Sequence, residues 1–352
     1  MAEIQNSLNR RNWLKQTGLL ATGIALSELL VSWTLKKNPT ILLVSGWQDV
    51  NIGDIAHTPG LLHVLETFLP ETKIVLWKKS GYNKQVSEIH NEYFPKVRVL
   101  YGNVNEKAEI DNPELLQVFN ESDILLHGSV PLLVGADHVA SWIMHTGKPF
   151  GVFGVTLQSP NEYHQELLKK AAFIFTRETH SIQHLKKAGI EGDHILFAPD
   201  ATFFLHIRDD EKVDRFLTSN RLEDKKFICA IPRLRYTPYH LIYPESNDWN
   251  DERIKTVEET NEKHKERDHA KMREAMIAWV RETGNKVLVC PEMTYQVDIM
   301  DELLINPLPD DVKPFVLKRG YWLPGEAASI YAKAHTVLSF ECHSPIIAAA
   351  NG

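Results

Sequence analysis

Five short stretches of this 352-residue chain hold residues suited to acid–base or anion chemistry. The first is Asn51-Ile52-Gly53-Asp54. Asn51 and Gly53 fit tight-turn geometry, and the Asp54 carboxylate falls where a helix begins, so it either caps that helix or hydrogen-bonds a substrate hydroxyl. The second runs from Gly128-Ser129 to Gly135. Its backbone N–H groups can meet an anion, or Gly and Pro simply shape a loop there. The third, Arg177-Glu178-Thr179-His180-Ser181, offers a guanidinium that can fork onto a phosphate or carboxylate, with an Arg177–Glu178 surface pair as the alternative. The fourth is Pro199-Asp200, and the fifth is Glu341-Cys342-His343-Ser344. His343 opens a helix whose positive end favours the neutral imidazole. With a phosphate or carboxylate beside it, the ring can serve as an acid or base.

The elements that hold these stretches follow from hydrophobic patterning. Short, mostly apolar runs at 41–44, 73–77, 97–101, 123–127, 150–153, 173–176 and 195–198 alternate with helical patterns. After a charge-rich interval the alternation restarts with runs at 227–231, 287–290, 314–317 and 337–340. Four or five consecutive apolar residues are what a strand buried on both faces of a parallel sheet requires. The expected class is α/β, with two Rossmann-like, doubly wound domains at 39–205 and 227–352 and a linker at 206–226. Two such domains in tandem predict a cleft facing the carboxyl ends of the strands. The last helix has only begun at Gly352, which reads as a chain that continues in nature.

In order and spacing the five stretches resemble the polysaccharide pyruvyl transferase family. That family shows an N-x-G-D turn, a glycine-rich turn, an R-E/D-x-x-S step, a P-D pair, and an R-x-H-S turn before an alanine-rich helix. The matching residues are Asn51–Asp54, Gly128–Gly135, Arg177–Ser181, Pro199-Asp200, and His343-Ser344 with Ala348–Ala350. The resemblance spans roughly residues 41–352 and implies a GT-B-like pair of Rossmann-like domains. It also implies transfer of the pyruvyl unit of phosphoenolpyruvate, a donor substrate rather than a cofactor, onto a sugar hydroxyl of a cell-surface glycan. On this reading His343 is the general acid or a phosphate ligand, and Asp54 orients and deprotonates the hydroxyl. Arg177, Asn51, Gly53, Gly128, Ser129, Asp200 and Ser344 bind substrate, and no metal is expected. Two departures stand out. Glu341 occupies the place of the family arginine, where a carboxylate would repel phosphoenolpyruvate by about 1–3 kcal/mol, and the glycine turn reads Gly-Ser. A GT-B glycosyltransferase using a nucleotide sugar and a non-catalytic glycan-binding envelope protein are the alternative functions.

The rest of the sequence bounds these choices. A composition of 43% hydrophobic and 24% charged residues excludes a disordered chain or a multi-span membrane protein. A net charge of −7 gives no basic field for nucleic acid. Three widely separated cysteines make neither a C-x-x-C site nor a disulfide framework. His127, His138 and His145 lack a third ligand at metal spacing and read as core or solvated histidines. Arg233, Arg235, Tyr236, Tyr239, Tyr243 and Trp249 form an aromatic loop, either an acceptor contact or a structural lid. At the N-terminus, Asn9-Arg10-Arg11-Asn12-Trp13-Leu14-Lys15 precedes an apolar run from Leu19 to Leu35. Residues 1–38 therefore read as a twin-arginine export signal, cleaved or kept as a membrane anchor, with an amphipathic N-terminal helix as the alternative. Export would place the protein in the periplasm or cell envelope, whereas phosphoenolpyruvate is cytosolic. That conflict marks a divergent member, and without a working leader the protein stays cytoplasmic.

Overall fold

The computed structural model describes residues 2–105 and 107–351, and for 2–17 the backbone alone. The chain divides into two compact units, Met1–Asp49 with Asp54–Ile207, and Val50–Gly53 with Arg208–Gly352.

The first unit opens with helix α1 (Ala2–Thr34), then β1 (Ile41–Ser45), α2 (Ile52–Phe68), β2 (Ile74–Lys78), α3 (Lys84–Tyr93) and β3 (Arg98–Leu100). It continues through α4 (Pro113–Glu121), β4 (Ile124–His127), β5 (Val130–Pro131), α5 (Ala136–Thr146), β6 (Phe150–Thr156), α6 (Glu162–Leu168), β7 (Phe173–Thr176), α7 (Thr179–Lys187) and β8 (Ile195–Phe197). The strands lie parallel in the order β3-β2-β1-β4-β6-β7-β8, with β5 on the edge of β6. Alternation along β1 shows why its run is unbroken. Leu42 and Val44 enter a core with Trp77, Phe119 and Trp142 on one face of the sheet. Ile41 and Leu43 enter another with Leu61, Leu65 and Phe94 on the opposite face. The first two residues of α2 group with the second unit.

That second core also takes in α1. Leu26 and Leu30 are fully buried in it, and the Cα of Gly23 lies so close to the Phe68 ring that a Cβ there would sit 2.0 Å from it. The stretch read as a leader thus has a second half that packs on the sheet through the i, i+4 pair Leu26 and Leu30. Each such leucine contributes about 1.5–3 kcal/mol of burial. The side chains of the twin-arginine motif at 9–15 lie outside the described residues. No helix is long and apolar enough to cross a membrane among the described residues.

The second unit holds α8 (Asp210–Asn220), β9 (Phe227–Ile231), α9 (Tyr239–Ile242), α10 (Asp251–Thr283), β10 (Lys286–Val289), α11 (Gln296–Met300), β11 (Val316–Lys318), α12 (Pro324–Lys333), β12 (Thr336–Ser339) and α13 (His343–Asn351). Its parallel sheet runs β11-β10-β9-β12. The expected linker differs from what is observed. Much of 206–226 is α8, capped by Asp209, burying Val213 and Leu217 and packing beside α12. Two apolar residues four apart suffice to dock a helix whose other positions are solvated.

Candidate active-site centre

In the second unit the site is built on two strand ends. Glu292 follows β10 and is fully buried, and His343 follows β12 as the first residue of α13. Glu292 Oε2 accepts hydrogen bonds from the Ser344 amide at 2.6 Å and the Ser344 hydroxyl at 2.8 Å. Its Oε1 lies 3.1 Å from His343 Nδ1. Tyr331 Oη donates in turn to Ser344 Oγ at 3.1 Å. Ser344, expected to bind substrate, is therefore a buried brace for Glu292. Burial alone would push the His343 imidazole toward neutrality. The hydrogen bonds and charges of Cys342 and Glu292 outweigh that cost and hold it well above 6.5. A neutral imidazole, the form a helix N-terminus favours, is thus overturned by a buried carboxylate at hydrogen-bond distance.

Gly53 meets this centre directly. A Cβ at Gly53 would lie 2.0 Å from His343 Cγ, and its φ is not positive. The glycine is required by the close approach of the imidazole rather than by turn geometry. Asn51 Oδ1 accepts from the Gly53 amide at 2.7 Å, so Asn51 rather than Asp54 makes this turn's side-chain cap. The segment is fastened by the Ile52 amide donating to Glu292 O at 3.0 Å and by an antiparallel bridge between Asn51 and Met293.

Glu341 is buried too, against the expectation of a carboxylate lining an open cleft. Gln296 Nε2 donates to its Oε1 at 2.6 Å, and Arg233 Nη1 lies 2.9 Å from its Oε2. Gln296 Oε1 accepts from the Glu292 and Met293 amides, which ties Glu341 to the Glu292 turn. Burial, then repulsion from Glu292, pushes the Glu341 carboxyl up to about 8 despite Arg233. Cys342 Sγ sits 3.6 Å from His343 Nδ1. The donor atoms of Glu292, Cys342 and His343 lie within 4.8 Å of one another, a set able to take a thiophilic cation. The hydrogen bonds among these groups account for the cluster without one.

In the first unit Asp54 is buried and accepts from Gln48 Nε2 at 2.5 Å. Arg177 is already engaged. Its Nη1 pairs with Asp200, and its Nε donates to Thr156 Oγ1 at 2.7 Å. Asp200 also accepts from the Thr202 amide and hydroxyl at 2.9 and 2.6 Å and lies 3.2 Å from His57 Nε2. Glu178 does not pair with Arg177 but caps α7 through the Ser181 amide. Of the two readings of the glycine turn, the amide partners fit the Gly- and Pro-shaped loop. The Gly128 amide donates to Val44 O, the Leu132 amide to Thr156 O, and the Gly135 amide to His127 Nε2. Gly128 is needed because a Cβ would press on Ser45 Oγ at 2.9 Å, and Ser129 Oγ donates to Gly154 O at 2.7 Å. His127 and His138 are buried and held neutral, each pushed down to about 3, chiefly by desolvation.

With this geometry in hand, comparison with known proteins is decisive at the family level. The polysaccharide pyruvyl transferase profile matches residues 51–352. The chain belongs to that family. No curated protein matches it in sequence. Among solved structures, it is similar to the MnaA–UDP complex of S. aureus (TM-score 0.53, 13% identity, covering 87% of this chain and 74% of that one). HepE of Anabaena with UDP-glucose gives a TM-score of 0.51 at 12% identity, covering 85% and 73%. The UDP-GlcNAc 2-epimerase of Methanocaldococcus jannaschii gives 0.53 at 12%, covering 88% and 81%. These neighbours show the GT-B-like α/β fold class.

Within a member of this family, the notable features are those that the sequence motifs do not carry. Glu292 and His57 have no spacing partner in the sequence. One signal was available for Glu292, an ionisable residue just beyond an apolar strand, at the edge where such sheets place their chemistry.

Proposed function

We propose that this chain transfers the pyruvyl unit of phosphoenolpyruvate to hydroxyls of a cell-surface glycan as a ketal. The observation that carries the reading is the Glu292–His343 pair, a buried carboxylate that fixes an imidazolium at the place of the family histidine. Glu292 occupies the Nδ1 side, so the proton to be delivered is that on Nε2. Protonation of the enol methylene makes C2 oxocarbenium-like. A sugar hydroxyl adds there and loses its proton to a carboxylate, a role we give Asp54. Phosphate leaves, and a second hydroxyl adds to the same carbon and gives its proton to the departing phosphate, closing the ketal. Arg233 is assigned as the donor-side cation. It reaches Glu341, in the place of the family arginine, from the loop after β9, which offsets the expected repulsion. Because phosphoenolpyruvate is cytosolic, this reading places the reaction on the cytoplasmic side of the membrane, and the burial of Leu26 and Leu30 makes the apolar half of α1 part of the fold rather than a free export signal.

The test is phosphate release from phosphoenolpyruvate in the presence of envelope saccharides. His343→Asn is expected to lower the rate about 10²–10⁴-fold with the fold intact. Wild-type-like turnover in that variant removes the histidine from the reaction. The UDP and UDP-glucose complexes among the structural neighbours favour a nucleotide-sugar transferase as the second reading. A thermal shift with UDP-glucose and none with phosphoenolpyruvate selects it.

A further inference from the structure

The loop after β9 and the first turns of α10 line an open cavity of about 670 Å³ within the second unit. Its lining includes Arg233, Arg235, Tyr236, Tyr239, Trp249 and Arg253, and Arg233 joins it to the Glu341 end of the active-site centre. The loop is fastened at three closely spaced positions. The Arg233 amide donates to His269 Nε2 at 3.3 Å and the Leu234 amide to Tyr295 Oη at 3.3 Å. The Tyr236 backbone is gripped from both sides by the Asn261 amide group at 3.0 and 2.9 Å. A loop fixed in this way is a preformed wall, not a mobile lid. Tyr236 is 52% exposed and presents a flat apolar face for stacking, while Tyr239 braces Trp249 edge to face at 6.2 Å.

The charge in this cavity is specific. Arg235 is held in a bidentate pair by Asp268, and Arg233 is paired with Glu341. Arg253 lies over the Trp249 ring at 4.3 Å and has no carboxylate within ion-pair distance among the described residues. It is a guanidinium held by the ring face rather than by a direct ion pair, in a chain of net charge −7. Thr237, Thr256 and Glu252 add hydroxyl and carboxylate groups that suit a polyol. A nucleotide pyrophosphate fits less well. Asp251 and Glu252 occupy the first turn of α10, and Asn250 Oδ1 already accepts from the Arg253 amide at 2.9 Å. Two acidic side chains at that helix end repel a doubly charged group, whereas one carboxylate can be met by Arg253 alone.

We propose that this cavity is a subsite for an acidic saccharide, a sugar ring bearing one carboxylate such as a uronic acid, with its face on the Tyr236 ring and its carboxylate on Arg253, which the Trp249 ring holds in place. The proposal rests on the pyruvyl-transfer reading only in treating the sugar as part of the acceptor. The binding itself can be measured without turnover.

The test is calorimetric titration of the full chain with a hyaluronan tetrasaccharide, which carries glucuronic acid, and with neutral tetra-N-acetylchitotetraose. The acidic probe is expected to bind at least 10-fold more tightly, with the preference falling as salt rises. Arg253→Ala should abolish the preference, and Tyr236→Ala should weaken both probes. Arg253→Lys should restore part of the preference, which separates lost charge from misfolding. Equal affinity for the two probes, an unchanged preference in Arg253→Ala, or displacement of the acidic probe by UDP would overturn the assignment. Should pyruvyl transfer fail on every acceptor while the acidic preference persists, the subsite stands and the transfer reading falls.

Discussion

Replacing Gly53 by alanine tests the geometry on which the histidine depends. The new Cβ would fall 2.0 Å from His343 Cγ, 2.1 Å from Nδ1 and 2.5 Å from Cβ. Ordinary contact begins near 3.4 Å, so the ring must retreat by about 1.4 Å. A shift of that size takes Nδ1 out of the 3.1 Å hydrogen bond with Glu292 and leaves a buried carboxylate oxygen without its donor. Losing a hydrogen bond to a charged group costs about 1.5–3 kcal/mol. Against this, alanine is favoured over glycine inside a helix by about 0.5–1 kcal/mol, and no positive φ penalises it here. The balance is a loss of about 1–2 kcal/mol in stability, together with a larger loss of activity because the proton donor is displaced. Urea denaturation and phosphate release measure the two effects separately. A Gly53→Ala protein at least as stable as the parent and fully active would show that the imidazole does not rest on this glycine.

Three further expectations concern the frame around the site. Leu30→Ala should lower stability by roughly 2–5 kcal/mol, because the side chain is fully buried in the sheet core; an unchanged denaturation midpoint would mean α1 is not docked. Stability should fall as pH drops below about 6.5. The unfolded His127 and His138 rings bind protons there, while the folded rings stay neutral down to about 3, so each costs about 2 kcal/mol at pH 5. A midpoint that is flat from pH 7.5 to 5, or a slope that His138→Phe does not reduce, would count against it. Glu341→Arg, attractive from the family motif alone, should instead destabilise by about 3 kcal/mol or more. It would set a second guanidinium against Arg233 and strip Gln296 of its acceptor. A stable variant with improved phosphoenolpyruvate affinity would reverse that conclusion.

Much of the fold was legible because burial on both faces leaves an unambiguous trace. β1 reads Ile-Leu-Leu-Val, with alternate residues serving opposite cores. Helix-end chemistry and carboxyl-edge placement likewise located Asp54, Arg177, Asp200 and His343 as the ionisable residues to watch. Two features were not legible. An apolar run after an arginine pair has the same composition whether it enters a membrane or packs on a sheet, so the docking of Leu26 and Leu30 could not be read from it. Val213 and Leu217 were hidden in a charged stretch because a helix lying on a surface needs only a narrow apolar stripe.

The acidic residue at position 341 shows why motif departures need three dimensions. In the sequence it is a lost cation, since linear comparison pairs residues that share a place in the chain. In the structure it is one member of a relay in which Arg233 holds Glu341, Gln296 holds both Glu341 and the Glu292 turn, and Glu292 holds His343. Each link is buried or half-buried, so electrostatic coupling along it is screened less than at an open surface. A guanidinium delivered from the loop after β9 keeps positive charge beside position 341 and at the same time walls the acidic-sugar cavity. On the proposed reading, exchanging the strand-end arginine for this pair would couple the donor side and the acceptor side through one residue. Truncating Arg233 should disturb both ligands, whereas truncating Arg253 should disturb the saccharide alone.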